Sequence, residues 1–150
     1  MAPSPTPYLT LVVPAYKEEK TIVHTLLKLD KVLKGMGLPY EIICVVDGTM
    51  DKTYAKAKQI SSRHIRVFAY EANRGKGHAV RFGMARARGQ VTGFIDANGI
   101  NPQSVQIIYQ HYLWYNSDII IGSKRHPVSK VKYPLQRRIA SWFYQKLVKL

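Results

Sequence analysis

Short apolar runs alternate with stretches of helical periodicity along almost the whole chain. Runs bounded by Pro, Gly, Asp or Asn predict strands at residues 8–13, 40–46, 65–70, 90–96 and 117–123. The stretches between them carry apolar residues at helical spacing, as at Ile22, Leu26, Leu29 and Leu33. This alternation predicts an α/β fold, a mostly parallel, Rossmann-like sheet with helices on both faces.

The composition indicates one globular domain and leaves the partner open among anionic molecules. With 150 residues, 46% of them hydrophobic, the chain can bury a core and is not of the disordered class. A formal charge of +14 favours nucleic acid, phosphorylated ligands or an acidic membrane surface. We expect a flexible N-terminus over residues 1–7, an α/β domain over 8–133 and a basic amphipathic helix over 134–150.

The single cysteine and the absence of targeting signals bear on location. Cys44 lies in an apolar run and cannot form an internal disulfide, so we expect a buried, inert thiol in a reducing compartment. The first ten residues lack the layout of a signal peptide, and no apolar run approaches the roughly 20 residues of a membrane span. We expect a cytoplasmic protein or one peripheral to the cytoplasmic face of a membrane.

Polar residues follow the predicted strands, and ligands of such sheets bind at the carboxyl ends of the strands. The strand ends carry Pro14-Ala15-Tyr16, Asp47-Gly48, Glu71-Ala72-Asn73, Asp96-Ala97-Asn98 and the basic pair Lys124-Arg125. Each Asp or Asn alone can be a helix cap. Asp96, however, precedes a Gly and a Pro rather than a helix directly, so capping does not account for the whole set.

Four segments in register resemble the nucleotide-sugar-binding part of inverting family-2 glycosyltransferases. They are VVPAYKEEKTI, EIICVVDGTMDKT, NRGKGHAVRFGMARARGQVTGFIDAN and DIIIGSKR, and the resemblance is strongest to the dolichyl-phosphate (polyprenyl-phosphate) sugar transferases. It implies a glycosyltransferase A-type fold and inverting transfer of a sugar from a UDP- or GDP-sugar to a polyprenyl phosphate. It also implies further acceptor-side elements, so the chain is expected to be truncated within its last helix.

The resemblance assigns candidate residues to the donor and to the acceptor. Those expected to bind the nucleotide are Pro14, Ala15, Tyr16, Glu18, Val45, Asp47, Gly48, Lys76 and Ala97, and those expected to bind phosphate are Lys124, Arg125 and Arg138. Ordinary packing is the alternative for Tyr16, and a helix first turn is the alternative for Glu18. Lys76, in a glycine-rich junction before a helix, favours an anion but can also be a solvated side chain.

Asp96 and Asn98 stand where the resemblance implies an Asp-x-Asp motif, so they are the candidate catalytic and metal-binding pair. Two oxygen ligands on a short turn can hold Mg²⁺ or Mn²⁺ against a diphosphate. Asn98 brings no negative charge, and Ile100 replaces a polar residue often found at that position. Three alternatives stay open: weaker metal use, partial replacement of the metal by basic residues, or an inactive chain.

Two rival functions come from other classes. The charge and ten tyrosines are compatible with a nucleic-acid-binding module, although the basic residues are spread over several helices. Asn98 and Ile100 favour a non-catalytic nucleotide-sugar-binding paralogue. The C-terminal helix, with Trp142 and Phe143 among basic residues, can lie in a membrane interface or pack on the sheet.

Overall fold

The computed structural model describes residues 6–98 and 101–122 and has the predicted α/β architecture. Its elements in chain order are β1 (Leu9–Ala15), α1 (Ile22–Gly35), β2 (Tyr40–Asp47), α2 (Thr53–Lys58), β3 (Ile65–Tyr70), α3 (Lys76–Met84), β4 (Val91–Phe94) and α4 (Gln103–Tyr115). The four strands lie in the order β3-β2-β1-β4, and every pairing is parallel. The predicted parallel sheet with helices is therefore confirmed.

Both faces of the sheet are covered, which explains why β1 and β2 are near-continuous apolar runs. Every residue of these two central strands is buried. Ile22, Leu26, Leu29 and Leu33 of α1 are fully buried in the larger core cluster, against one face of the sheet. On the other face, Val12, Ile43 and Val45 pack with Ala79 of α3. Helices therefore lie on both faces, as a parallel sheet requires.

Gly83 lets α3 pack unusually close to the sheet. A Cβ atom at this position would collide with Val12 and would lie 3.1 Å from a methyl group of Val45. The two valines belong to the buried cluster between the helix and the sheet, and they have no room to withdraw. Glycine at position 83 is thus a packing requirement.

Pro14 lies within β1, although the sequence predicted that it would end the strand. The strand continues to Ala15, and Pro14 is in register with Val45. In a parallel strand, alternate residues direct their backbone groups to opposite neighbours, and the carbonyl of Val12 accepts from Ile95, on the β4 side. Pro14, two residues on, faces the same side beyond the end of β4, where its missing N–H costs no ladder bond.

The predicted fifth strand is wrong over the described residues 117–122, which form no strand. Ile119 and Ile121 are 81% and 83% exposed, so the apolar run is not sandwiched between layers. An apolar run becomes a strand only when another strand offers it a backbone ladder, and the described part of the chain offers none here. Residue 123 and the expected helix at 134–150 lie outside the described residues.

A buried carboxylate joins the strands at the amino-terminal edge of the sheet. Glu41, only 2% exposed, accepts from the Thr10 hydroxyl at 2.9 Å, from Arg66 at 3.0 Å and from the Arg88 backbone N–H at 2.8 Å. The Arg88 guanidinium adds contacts of 2.9 and 3.2 Å. Burial acts to raise the pKa of Glu41, but these hydrogen bonds outweigh it and hold the pKa below its ordinary value.

Candidate active site

The carboxyl ends of the parallel strands gather the predicted residues along one edge of the sheet. Tyr16 follows β1, Asp47 ends β2, and Asp96 follows β4, while Lys76 begins the helix after β3. The strands are neighbours in the sheet, so their ends are adjacent. The described edge therefore brings together residues that are up to 80 positions apart in the sequence (Tyr16 to Asp96).

The segment between β1 and α1 presents an aromatic ring and a short polar turn. Tyr16 is 43% exposed, and the Lys17 ammonium lies 5.2 Å from the centroid of its ring. Lys17 has a φ of 54°, a left-handed conformation that turns the chain sharply away from the strand. The exposed ring is available to stack on a planar ligand.

Glu18 lies in the turn before α1, three residues ahead of the N-cap Thr21, so the alternative prediction that it belongs to the first turn of this helix is wrong. Its carbonyl accepts from the backbone N–H of Ile22 at 2.8 Å, and its carboxylate accepts from the Thr21 hydroxyl. Its own N–H donates to the Thr53 hydroxyl at 2.9 Å, which ties the segment to α2. The carboxylate lines a groove but is already engaged by Thr21.

Asp51 holds the same segment from the other side. One of its oxygens accepts from the Thr53 N–H at 2.9 Å, and the other from the Glu19 N–H at 3.4 Å. Partial burial opposes ionisation of Asp51, but bonds from Thr53 and Glu19 and the charge of Lys17 lower its pKa below the ordinary value. An ionised Asp51 therefore keeps the loops after β1 and β2 together.

Asp47 is buried, and its carboxylate organises the loop that follows β3. One oxygen accepts from the Tyr70 hydroxyl and from the Arg74 backbone N–H, both at 2.8 Å. Burial, then the bond to Asp47, raises the pKa of Tyr70, so the hydroxyl stays a donor. A carboxylate that is 2% exposed and held in this way positions the loop, and any ligand contact must use its remaining acceptor capacity.

Gly48 fits the same loop against β2. Its φ is 93°, and a Cβ atom there would lie 3.1 Å from the backbone nitrogen of Asn73. The Asn73 side chain accepts from the Gly75 N–H at 3.1 Å, and Gly75 also has a positive φ of 87°. These contacts fix the path of the chain into α3 and so place Lys76 at its first position.

Lys76 and Asp96 form an ion pair across the site. The Lys76 ammonium contacts Oδ1 of Asp96, and the two side chains are 55% and 44% exposed. The same ammonium lies 5.4 Å from the centroid of the Phe94 ring, which adds a cation–π contact. The candidate metal ligand Asp96 is therefore engaged by a cation that the chain itself supplies.

The turn after β4 is anchored through Ala97 and exposes Asn98. Ala97 is buried in the larger core cluster, and its carbonyl accepts from the Thr25 hydroxyl of α1 at 3.1 Å. Asn98 is exposed and lines two adjoining grooves of about 410 and 320 Å³ beside the start of α1. Tyr16, Asp47, Lys76 and Asp96 line neither groove, so the grooves adjoin the carboxyl edge of the sheet and do not by themselves mark the ligand site.

The residue types of this turn can hold a divalent cation, but as a weak site. Asp96 offers an exposed carboxylate and Asn98 an exposed amide oxygen, both suitable for a hard cation. Residues 6–98 and 101–122 contain no group of three or more His, Cys, Asp or Glu side chains arranged around a common point. A cation here would need further ligands from water or from the phosphates of a bound molecule.

Six of the predicted nucleotide-binding residues are buried: Pro14, Ala15, Val45, Asp47, Gly48 and Ala97. The side chains of Pro14 and Ala15 lie within the sheet, and Val45 is fully buried in the cluster under α3. The Val45 side chain is fully buried and packs under α3, so a ligand contact of this residue would have to come from its backbone, and its expected role stays a prediction. Lys124, Arg125 and Arg138, the predicted phosphate-binding residues, lie outside the described residues.

Several residues of the site were not predicted from the sequence. Tyr70 and Arg74 shape the loop after β3, and Phe94 supports Lys76. Asn73 was among the strand-end residues, but without an assigned role. One signal was present for Tyr70, because it ends β3 as Asp47 ends β2, and the two are in register. Recognising that pair requires the register of the sheet, which the apolar pattern alone does not give.

Comparison with protein families and curated proteins gives concordant matches. The model of the family described as "Glycosyl transferase family 2" matches residues 10–148. A dolichyl-phosphate β-glucosyltransferase of Drosophila melanogaster is 36% identical over 141 residues, covering 82% of this chain and 42% of the relative. A dolichol-phosphate mannosyltransferase of Pyrococcus furiosus is 29% identical over 142 residues, covering 93% and 38%.

The fold also matches solved glycosyltransferase structures. A crystal structure of glucosyl-3-phosphoglycerate synthase from Mycobacterium tuberculosis, in complex with Mn²⁺, UDP and phosphoglyceric acid, superimposes with a TM-score of 0.57. The match has 25% identity and covers 71% of this chain and 39% of that one. The fold is thus of the glycosyltransferase A type. The chain spans about two fifths of the length of the two curated relatives described above.

Proposed function

The chain belongs to glycosyl transferase family 2, and from that premise we propose that it is the donor-binding part of a sugar transferase. The reaction is transfer of a sugar from a UDP- or GDP-sugar to a polyprenyl phosphate such as dolichyl phosphate, with inversion at the anomeric carbon. The observation that carries the proposal is the convergence of Tyr16, Lys76 and Asp96 on the carboxyl edge of the sheet. The names of the curated relatives support the acceptor class.

The residues divide the work of binding the donor. The exposed Tyr16 ring packs against the nucleobase, and the loop fixed by Asp47 brings Lys76 to the diphosphate. Asp96 and Asn98 are the side chains that would hold Mg²⁺ or Mn²⁺, and the Mn²⁺ in the mycobacterial synthase supports a divalent ion. When bound, such an ion neutralises charge on the departing nucleoside diphosphate.

The acceptor needs little help from a base, because a phosphate is already an anionic nucleophile. Lys124, Arg125 and Arg138 are proposed to bind its phosphate or the donor diphosphate through charge-assisted hydrogen bonds. We place the protein in the cytoplasm or, through its basic C-terminal segment, on the cytoplasmic face of a membrane. Within the described ranges, no helix is long and apolar enough to span a bilayer.

Calorimetric titration tests the donor site directly. UDP, GDP, UDP-glucose and GDP-mannose are titrated with Mn²⁺ or with EDTA, and we expect one nucleotide family to bind, more tightly with the metal. Asn98→Asp adds a charged ligand and should tighten metal-dependent binding by about tenfold, while Asp96→Asn should weaken it by a similar factor. Asp118→Asn is the matched control, because Asp118 is exposed, follows α4 and, unlike Asp96, forms no ion pair among the described residues.

The neutral Asn98 favours a second candidate function, a non-catalytic nucleotide-sugar binder. Both functions require donor binding, so turnover separates them: transfer of radiolabelled sugar to dolichyl phosphate supports the enzyme. Donor binding without transfer, by a chain extended to the length of its relatives, supports the binder. Salt-sensitive binding to DNA with no heat from any nucleotide would refute both.

A further inference from the structure

The ammonium of Lys76 already occupies one oxygen of the only carboxylate in the candidate metal-binding pair. Lys76 contacts Asp96, and Phe94 lies beneath the same ammonium at 5.4 Å. Asn98 adds an oxygen but no charge, so the pair with Lys76 attached is electrically neutral. A divalent cation that approaches Asp96 is therefore repelled by the Lys76 ammonium, and position 98 supplies no second carboxylate to offset that repulsion.

We propose that Lys76 and the divalent cation compete for Asp96, and that the donor diphosphate resolves the competition by drawing Lys76 to itself. The inference rests on the proposed function and adds the order in which the ligands assemble. Metal binds the free chain weakly, and it binds well once a diphosphate gives the ammonium another anionic partner. Because binding energies are linked, the metal must tighten nucleotide binding by the same factor by which the nucleotide tightens metal binding.

The geometry allows Lys76 to exchange partners at small cost. Both members of the ion pair are about half exposed, and such pairs contribute little to stability. Lys76 is the first residue of α3, and its backbone position is fixed by the Asn73–Gly75 bond and by the positive φ of Gly75. A fixed backbone with a flexible, four-carbon side chain lets the ammonium swing while the helix stays in place.

The first experiment measures Mn²⁺ binding without nucleotide, from the electron paramagnetic resonance signal of the free ion. We expect Lys76→Met to tighten Mn²⁺ binding about tenfold, or 1.4 kcal/mol, and Lys76→Arg to leave it within about twofold of the original chain. Lys31→Met is the control for net charge, because Lys31 is an exposed residue within α1 and, unlike Lys76, forms no ion pair among the described residues. Equal tightening in Lys31→Met, or none in Lys76→Met, overturns the competition.

A double-mutant cycle assigns the effect to Asp96. In an Asp96→Asn background the Lys76→Met change should no longer tighten Mn²⁺ binding, because the carboxylate for which the cations compete is gone. Persistence of the full tenfold effect in that background overturns the assignment. Circular dichroism spectra and thermal midpoints that match the original chain establish that each variant is folded.

The second experiment measures the coupling between metal and nucleotide. In the original chain, a saturating nucleoside diphosphate (UDP or GDP, whichever binds) should tighten Mn²⁺ about tenfold or more, and Lys76→Met should reduce that factor at least threefold. An unchanged factor overturns the inference. If neither nucleotide binds the original chain, the proposed function fails, whereas tightening of Mn²⁺ in Lys76→Met still supports the competition for Asp96.

Discussion

Replacing Glu41 by Gln should cost the chain about 3 kcal/mol of its free energy of unfolding. Breaking a buried ion pair by removing one member typically costs about 3–5 kcal/mol. The lower end applies here, because the Arg66 and Arg88 side chains are 32% and 59% exposed and can return to water. Gln keeps the shape of Glu, so the loss reports the charge and its hydrogen bonds rather than a cavity.

Urea denaturation at about pH 7 measures the loss. With a urea dependence of about 2 kcal/mol per molar, the midpoint should fall by about 1.5 M. Glu71→Gln is the matched control, because Glu71 is exposed and its substitution should move the midpoint very little. A shift at position 41 no larger than the shift at position 71 would refute the role given to this carboxylate.

The effect should also depend on pH with a defined sign. The pKa of Glu41 lies below its ordinary value of 4.5, so its contribution is complete above that pH and declines as the pH falls through the folded-state pKa. The difference in stability between the original chain and Glu41→Gln should therefore be constant from about pH 7 to about pH 5 and shrink toward about pH 3. A difference that does not shrink would contradict the mechanism.

Two further predictions concern the core. Gly83→Ala should lower the free energy of unfolding by about 1–3 kcal/mol, because the added methyl group overpacks α3 against the sheet. Gly77→Ala is the control, since the space around its Cβ is open, and it should be neutral or slightly stabilising in the same urea assay. Equal effects of the two substitutions would refute the close approach of α3. Burial raises the pKa of Cys44 to about 12, so the thiol of the folded chain should not react with Ellman's reagent near pH 8. It should react once the chain unfolds, and rapid labelling of the folded chain would show that the thiol is accessible.

The sheet and its helices could be predicted because their signals are local. The apolar runs of β1 to β4 and the spacing of Ile22, Leu26, Leu29 and Leu33 need no knowledge of distant residues. The prediction of a fifth strand was wrong because strand formation also depends on distant residues. Residues 117–122 have the composition of a strand, but a strand also needs a partner, and composition says nothing about where one lies.

The sequence predicts where the candidate site residues lie but not which side chains hold them. The strand-end positions of Tyr16, Asp47 and Asp96 follow from the parallel topology, and the structure places all three on one edge. That Asp47 would be held by Tyr70, and Asp96 by Lys76, depends on register and on the path of the loop after β3, which packs against Gly48 and ends at Gly75 with a positive φ. Such contacts join distant segments, and no periodic pattern in the sequence encodes them.

Pro14, inside β1, limits how far β4 can pair with β1 toward the carboxyl edge of the sheet. Since position 14 has no N–H to offer toward β4, lengthening the fourth strand would gain at most the bond that the Pro14 carbonyl accepts, one fewer than at an ordinary residue. After β4 the chain instead runs toward α1, where the Thr25 hydroxyl donates to the Ala97 carbonyl. Pro14 thus weakens any pairing of β4 with β1 beyond Phe94 at the carboxyl edge of the sheet. Replacing Pro14 by an ordinary residue would make a longer β4 easier to form.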